Sequence, residues 1–221
     1  MCWASTRWTA SASRAPGSEL PPAPAWAGST TGRVPWNSNV FRRRKLLILV
    51  LVAVGAAWFG WERFARERRY DGLIRAVAIR NGLPPELVKA VVWRESRFDA
   101  EARGSHGEFG LMQVTETAAQ EWADARGDRT FRHEHTLDPA TNLHAGCFYL
   151  ARLSRRYPGT DRPFAFALAD YNAGRGNVLR WAKGAAATNS AAFLDAMTFP
   201  RTREYVEAIL IRQRGYAAGF R

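Results

Sequence analysis

An uncharged, apolar run at residues 46–61 constrains the fold more than any other feature of this chain. Four basic residues at positions 42–45 precede the run, and Glu62 and Arg63 follow it. The run is slightly shorter than the roughly 20 apolar residues that span a bilayer, and Phe41 and Phe64 extend it at either end. In a soluble protein such a segment would have to be a helix buried on all sides. We expect instead a single transmembrane segment over residues 40–64, with residues 46–61 in the membrane.

The flanking charges predict the orientation of this segment. Basic clusters stay on the cytoplasmic side, so residues 42–45 place the C-terminal part of the chain outside the cytoplasm. Two interpretations stay open, an uncleaved signal anchor and a signal peptide cut near Gly55, Ala56 and Ala57. The bulky Trp58 that follows favours the anchor. The expected location is therefore the cytoplasmic membrane, in a single pass, with the rest of the chain exported.

Residues 1–39 precede the apolar run and show no periodicity. They are rich in Ser, Ala, Pro and Gly, and they hold four of the nine Trp residues. We interpret them as a disordered leader. Two origins stay open. The segment is either a genuine flexible tail, or it is not part of the natural protein because translation starts at Val40.

Charge and cysteine content narrow the possible partners. The net charge is +12, of which residues 1–61 carry +6, while residues 62–221 mix 25 basic with 19 acidic residues. The second part has no basic stripe with interleaved aromatic residues, so nucleic-acid binding is disfavoured and none is expected. The two cysteines, Cys2 and Cys147, provide no disulfide framework.

Residues 66–221 predict a mainly α domain. Apolar residues recur at helical spacing before the Asn81-Gly82 stop, after Pro84-Pro85, after the Asp138-Pro139 N-terminal cap, over 165–170 and after Pro200. Few windows alternate as strands do, and a small hairpin is expected at most over residues 104–114. The chain length suits one such domain, which we expect to be monomeric.

Glu95 is the first candidate functional residue. It follows Val88 by seven positions and Val91 by four, which places it on the apolar face of its helix. Burial disfavours the charged form of a carboxyl group, raises its pKa and suits it to donate a proton. The alternative is a surface ion pair with Arg94 or Arg97.

Four short motifs around Glu95 carry a family resemblance. They are Glu95-Ser96-Arg97-Phe98, the segment from Gly107 to Val114 (GEFGLMQV), Asp138-Pro139-Ala140-Thr141-Asn142 with Gly146 and Tyr149, and Ala169-Asp170-Tyr171-Asn172-Ala173-Gly174. Their order and spacing resemble lytic transglycosylases of the soluble lytic transglycosylase (SLT) type, whose domain is related to goose-type lysozyme. The resemblance covers residues 68–216 and implies a lysozyme-like helical fold. Glu116, Ala118 and Cys147 depart from the usual pattern.

The resemblance also implies roles for individual residues. Glu95 would be the single acid/base, and Tyr171 and Asn172 would face it across one cleft, with the Tyr171 hydroxyl orienting the acid. The remaining substrate-binding residues would be Ser96, Gly110, Met112 and Gln113. Core filling is the alternative for Met112 and Tyr171, and Asn142, Gly146 and Tyr149 are expected to be mainly structural.

The implied substrate is the glycan strand of peptidoglycan. Glu95 would protonate the oxygen between N-acetylmuramic acid and N-acetylglucosamine, and the muramyl 6-hydroxyl would close a 1,6-anhydro ring. Asp99 is assigned no nucleophilic role, and no cofactor is expected. His133, Glu134, His135 and His144 do not have metal-site spacing, so no metal is expected. A hydrolytic muramidase and a non-catalytic wall-binding module stay open as alternatives.

Overall fold

A computed structural model describes residues 38–219, with side chains from Arg42 onward. The chain divides into two compact units, residues 1–50 and 51–221. Most of the leader predicted at residues 1–39 lies outside the described residues. The described part of the first unit is the beginning of helix α1, Ser38–Arg68.

Helix α1 contains the predicted apolar run. Each residue from Arg42 to Arg66 is exposed, including the leucines and tryptophans of the run. The helical stretch Arg42–Arg80 holds the one window, among the described residues, that is long and apolar enough to cross a membrane. The alternative of a helix buried in a soluble core is therefore wrong, because none of that window is buried.

The rest of the second unit is helical, as predicted. Its α-helices are α2 (Asp71–Arg80), α3 (Pro85–Ser96), α4 (Glu116–Ala125), α5 (Pro139–Ser154), α6 (Pro163–Ala173), α7 (Arg175–Trp181), α8 (Ser190–Ala196) and α9 (Pro200–Ala217). Two short 3₁₀ helices occupy His133–Leu137 and Gly184–Ala187. Over residues 104–114, two isolated antiparallel bridges join Phe109 to Arg103 and to Val114, without a strand in the described residues.

The predicted start and stop signals act where the sequence has them. Pro85 occupies the first turn of α3, and α2 ends one residue before Asn81. The Asp138 carboxylate accepts a hydrogen bond from the Thr141 backbone N–H at 2.8 Å and so caps α5. These signals fix where each apolar face begins and ends.

Helix α3 lies at the centre of the domain. It packs against α9 and α2, and α5 packs against α4 and α6. The predicted buried face of α3 is confirmed, but burial extends over all six residues from 87 to 92, including Lys89. Neighbours on several sides of α3 explain this difference, since a one-sided stripe suffices only for a helix at the surface.

Candidate active site

The last turn of α3 opens onto a groove of about 310 Å³. Four of the predicted site residues, Glu95, Gln113, Tyr171 and Asn172, line it together. The prediction that these residues share one cleft is therefore confirmed. The other lining residues are Gly104, Ser105, Glu108, Thr115, Ala118, Tyr149, Asp170 and Gly174.

The end of α3 positions Glu95. The two residues after the helix, Arg97 and Phe98, have left-handed backbone with φ values of 55° and 64°. Residues other than glycine adopt this region at a cost, and such strained residues concentrate at functional sites. Phe98 is nevertheless buried, so packing holds the turn that ends the helix directly beyond Glu95.

The surroundings of Glu95 favour its protonated form. Burial raises the pKa of its carboxyl group from 4.5 to about 7, and the charge of Glu108 contributes in the same direction. A hydrogen bond from Tyr205 and the charge of Arg94 oppose this rise but do not cancel it. A carboxyl group with a pKa near neutrality can both donate and accept a proton under physiological conditions.

Tyr205 is the residue that contacts the acid directly. Its hydroxyl group donates to Glu95 Oε1 at 2.5 Å, from a side chain of α9 that is almost fully buried. The prediction that the Tyr171 hydroxyl orients the acid is wrong, since that hydroxyl donates to the Met112 carbonyl at 2.7 Å. This contact could not be predicted from the sequence, because helical spacing does not show the direction of the Tyr205 hydroxyl.

Gln113 forms one side of the groove. Its backbone has a φ of 46°, and its side-chain amide nitrogen donates to the carbonyl oxygens of Gly110 at 2.9 Å and Ala102 at 3.2 Å. Its side-chain oxygen lies beside Gly104, where a Cβ atom would come within 2.8 Å of it. The loop therefore fixes the amide group, and Gly104 leaves room for it.

Three other predicted substrate-binding residues are buried within the loop or next to it. Met112 is fully buried, and Gly110 is also buried. The Ser96 hydroxyl is buried as well and donates to the Leu111 carbonyl at 2.8 Å. Both side chains point into packed surroundings, so the part of Met112 and Ser96 in substrate binding stays a prediction.

Asn142 explains why Gly110 is a glycine. Its side-chain amide accepts from the Met112 N–H at 2.8 Å and donates to the carbonyls of Phe109 and Thr136 at 2.7 and 2.8 Å. Gly110 has a φ of +70°, and a Cβ atom there would lie 2.4 Å from the Asn142 amide nitrogen. A glycine at position 110 therefore lets the backbone approach the Asn142 side chain closely.

The predicted structural roles on α5 agree with the packing. A Cβ atom at Gly146 would lie 2.6 Å from the Met112 sulfur, so this glycine lets the loop pack on the helix. Tyr149 has two roles. Its ring packs edge to face on the Tyr171 ring, with 5.7 Å between the ring centres, and it also lines the groove.

Helix α6 brings two polar groups to the groove. The Asn172 side-chain oxygen accepts from the Thr202 hydroxyl at 2.9 Å, while Asn172 itself is exposed. The Asp170 carboxylate is buried and accepts from Arg156 at 2.9 Å and from the Tyr157 hydroxyl at 2.6 Å. The sequence motif contained Asp170, but its ion pair joins residues that no motif connected.

A third carboxylate, that of Glu108, lies in the groove, and the sequence analysis assigned it no role. Glu108 Oε2 accepts from the His106 backbone N–H at 2.9 Å. By contrast, Asp99 is exposed, accepts from the Glu101 N–H at 3.0 Å and does not line the groove. This agrees with the absence of a nucleophilic role for Asp99.

Three histidines outside the groove take part in ring contacts or backbone hydrogen bonds. The His133 ring stacks on the Phe109 ring, with 4.3 Å between the ring centres. The His144 ring lies nearly parallel to the Trp122 ring, with 6.5 Å between the ring centres. His135 Nδ1 accepts from the Arg132 N–H at 3.2 Å.

Comparison with known proteins identifies the family. The chain is 36% identical over 118 residues to membrane-bound lytic murein transglycosylase F from Desulfosudis oleivorans, a match that covers 52% of this chain and 24% of that protein. The chain thus spans about a quarter of the length of this curated relative.

Two solved structures have the same fold. An inactive Glu-to-Gln mutant of the lytic transglycosylase Slt from Pseudomonas aeruginosa superposes with a TM-score of 0.62 at 26% identity, over 68% of this chain and 24% of that one. The 70-kDa soluble lytic transglycosylase from Escherichia coli superposes with a TM-score of 0.60 at 26% identity. The superposition covers 67% of this chain and 24% of that one. Residues 72–194, more than half of the 221 residues, match the transglycosylase SLT domain. The chain therefore belongs to the transglycosylase SLT domain family.

Proposed function

We propose that this protein is a membrane-anchored lytic transglycosylase that cleaves the β-1,4 bond between N-acetylmuramic acid and N-acetylglucosamine in peptidoglycan. One observation carries the proposal: a partly buried carboxyl group, Glu95, has its pKa raised to about 7 within a groove. The leaving oxygen of a glycosidic bond needs such a proton donor.

The relatives support the same reaction. Membrane-bound lytic murein transglycosylase F and the lytic transglycosylases from P. aeruginosa and E. coli are all named for it. The P. aeruginosa enzyme is inactive as a single Glu-to-Gln mutant, so that enzyme depends on one glutamate.

The proposed reaction begins with protonated Glu95. It gives its proton to the glycosidic oxygen, the bond to the muramyl anomeric carbon breaks, and the muramyl N-acetyl group stabilises the positive charge. The carboxylate that forms is stabilised by the Tyr205 hydroxyl, which already donates to it. Glu95 then takes the proton of the muramyl 6-hydroxyl, whose oxygen closes the 1,6-anhydro ring. Glu95 is thereby restored, and no water or cofactor is consumed.

The groove offers the remaining contacts for a sugar chain. The fixed Gln113 oxygen can accept from a hydroxyl or acetamido group, and the exposed Asn172 amide nitrogen can donate to one. The rings of Tyr149 and Tyr171 offer apolar surface for a pyranose ring. Ser96, Gly110 and Met112 act indirectly in this proposal, by holding the loop that carries Gln113.

Glu108 gives a specific reason to consider hydrolysis as the second candidate. Most glycosidases use two carboxylates, and in inverting enzymes one of them activates water. Glu108 shares the groove with Glu95 and influences its pKa. A muramidase with Glu95 as acid and Glu108 as base is therefore the alternative to ring closure.

Analysis of the products separates the two reactions. Purified peptidoglycan is digested by the full-length protein in water enriched in ¹⁸O, and the fragments are analysed by mass spectrometry. Ring closure yields 1,6-anhydro-N-acetylmuramic acid ends without ¹⁸O. Reducing ends that carry ¹⁸O would replace the transglycosylase proposal by the muramidase, and intact strands would leave a wall-binding module.

The proposed location is the cytoplasmic membrane, with a single pass through α1 and a monomeric catalytic domain, residues 66–221, exported to meet the wall. A reporter enzyme that is active only outside the cytoplasm, fused after Arg221, tests this orientation. Activity of a fused cytoplasmic reporter instead would contradict it.

A further inference from the structure

A second groove, of about 650 Å³, lies between the end of α1 and the end of α3. We call it the juxtamembrane groove, and the residues that matter here are Trp58, Phe59, Arg63, Arg66, Trp93 and Arg97. None of the residues that line the active-site groove, Glu95 included, is among its lining residues. Its volume is typical of small-molecule sites, which measure about 300–1,000 Å³.

Contacts between helices lie beside this groove. Glu67, in the last turn of α1, accepts from Arg212 at 2.9 Å and from the Tyr216 hydroxyl at 2.5 Å, both on α9. The Arg212 guanidinium also lies 4.9 Å from the centre of the Trp93 ring on α3. One ion pair thus ties α1 to α9 beside the groove.

The groove carries excess positive charge. Three arginines and two glutamates line it, and one of these, Glu67, is already paired with Arg212. The Arg97 guanidinium lies 4.2 Å from the centre of the Trp93 ring, which holds it at the groove surface. An anionic group that binds two or more guanidinium groups, such as a phosphate, fits this arrangement.

The position of the groove points to the source of that phosphate. The groove begins at Trp58, within the apolar run, and Trp58 is 68% exposed. Aromatic residues at the end of a transmembrane helix lie at the level of the lipid headgroups. A ligand here can place a phosphate on the arginines while its hydrocarbon chains follow the exposed apolar side chains of α1.

We propose that the juxtamembrane groove binds the headgroup of an anionic phospholipid. The bound lipid would hold the domain in one orientation at the membrane surface. This inference rests on the membrane-anchor part of the proposed function and is independent of the glycan chemistry.

Lipid retention by the full-length protein tests the proposal. The protein is purified in detergent with equal amounts of phosphatidylglycerol and phosphatidylcholine, and the lipids that remain bound are counted by native mass spectrometry. The wild-type protein should retain phosphatidylglycerol preferentially. An arginine near an anionic membrane contributes about fivefold to binding. A triple Arg63→Gln, Arg66→Gln, Arg97→Gln variant should therefore lose at least about tenfold of that preference.

The matched control removes three positive charges from the surface outside the groove. Arg129, Arg155 and Lys183 are exposed basic residues outside the groove, and replacing all three by Gln should leave the preference unchanged. Equal losses in both triple variants, or no loss in the groove variant, would overturn the proposal. Thermal unfolding followed by circular dichroism verifies that both variants remain folded.

Two further experiments are needed. One distinguishes a lipid headgroup from free phosphate as the ligand, and the other tests the membrane anchor alone. Excess inorganic phosphate should leave bound phosphatidylglycerol in place, because the hydrocarbon chains contribute to binding; its displacement would make this a free-phosphate site and overturn the lipid proposal. Flotation with pure phosphatidylcholine vesicles tests the anchor alone. Failure to float combined with unchanged headgroup preference would reject the anchor and keep the groove.

Discussion

Two helices bring a carboxylate to the same groove, and the groups around each carboxylate differ. Asp170 on α6 meets a guanidinium group at 2.9 Å and a tyrosine hydroxyl at 2.6 Å. Glu95 on α3 meets a tyrosine hydroxyl at 2.5 Å, while the nearby Arg94 guanidinium lies over the Tyr205 ring, 5.3 Å from its centre. Burial therefore dominates at Glu95 and raises its pKa to about 7.

The difference shows how one fold assigns two roles to one functional group. A carboxylate that pairs with a partly buried cation has a structural role, because its removal leaves that cation without a partner. A carboxylate without such a pair stays protonated to higher pH and can serve as an acid.

The largest effect is expected from Glu95→Gln. The side chain keeps its shape but cannot donate a proton as a carboxylic acid does, and general acid–base catalysis contributes typically about 10²–10⁴-fold. Turnover of peptidoglycan should fall at least about a hundredfold. Asp99→Asn is the matched control and should lose far less, because Asp99 lies outside the groove. Equal losses in the two variants would contradict the assignment of Glu95.

The same substitution should stabilise the folded protein at alkaline pH. The pKa of Glu95 is about 7 in the folded state and 4.5 as the ordinary value, so the unfolded chain releases this proton first as the pH rises. Stability is therefore lost between these two values, by at most about 3 kcal/mol. Glu95→Gln removes that loss, so its gain in free energy of unfolding should be present at pH 8 and absent at pH 4. Urea denaturation at both pH values measures it, and a gain independent of pH would point to packing instead.

Asp170→Asn should cost stability and leave the acid unchanged. It leaves the Arg156 guanidinium without its partner, which for a fully buried pair costs about 3–5 kcal/mol. The Arg156 side chain retains 23% exposure, so a loss of about 2 kcal/mol is expected. Asp170 does not contribute to the pKa of Glu95, so the midpoint of the pH profile of activity should stay in place. A shifted midpoint would mean that the two carboxylates are coupled.

Tyr205→Phe should weaken the acid. The Tyr205 hydroxyl lowers the pKa of Glu95, because it stabilises the carboxylate. Without it the pH midpoint of activity should move upward, and turnover below that midpoint should fall about tenfold, the value of one hydrogen bond to a charged group. Tyr157→Phe removes the corresponding hydroxyl from Asp170 and should leave the midpoint unchanged. An unchanged midpoint in Tyr205→Phe would refute this role.

These contacts also show what the sequence can and cannot predict. Periodicity placed Glu95 on a buried helix face, because a spacing of four and seven residues defines a face by geometry alone. It could not predict Tyr205, which lies 110 positions away and meets Glu95 only after α9 packs on α3. Motif order brought Gln113, Tyr171 and Asn172 to one groove. A motif does not say which side chains point outward, so it could not predict that the Met112 and Ser96 side chains are buried.

The smallest effect is expected from Glu108→Gln. It should move the pH midpoint of activity in the direction opposite to that expected for Tyr205→Phe. The charge of Glu108 raises the pKa of Glu95, so its removal lowers that pKa and leaves less of the protonated acid at pH 7. Activity at pH 7 should fall roughly threefold, with the midpoint moved to lower pH. Glu101→Gln removes an exposed carboxylate just before the loop and should leave the midpoint in place.

Product analysis of Glu108→Gln completes this test. If Glu108 only adjusts the pKa of Glu95, the products still end in 1,6-anhydro-N-acetylmuramic acid, because the internal hydroxyl needs no second carboxylate. If Glu108 activates water, the wild-type protein forms some reducing ends that carry ¹⁸O, and the variant loses them. A loss of that fraction at constant anhydro product would assign Glu108 a catalytic role, because a change in the pKa of Glu95 alone slows both routes by the same factor.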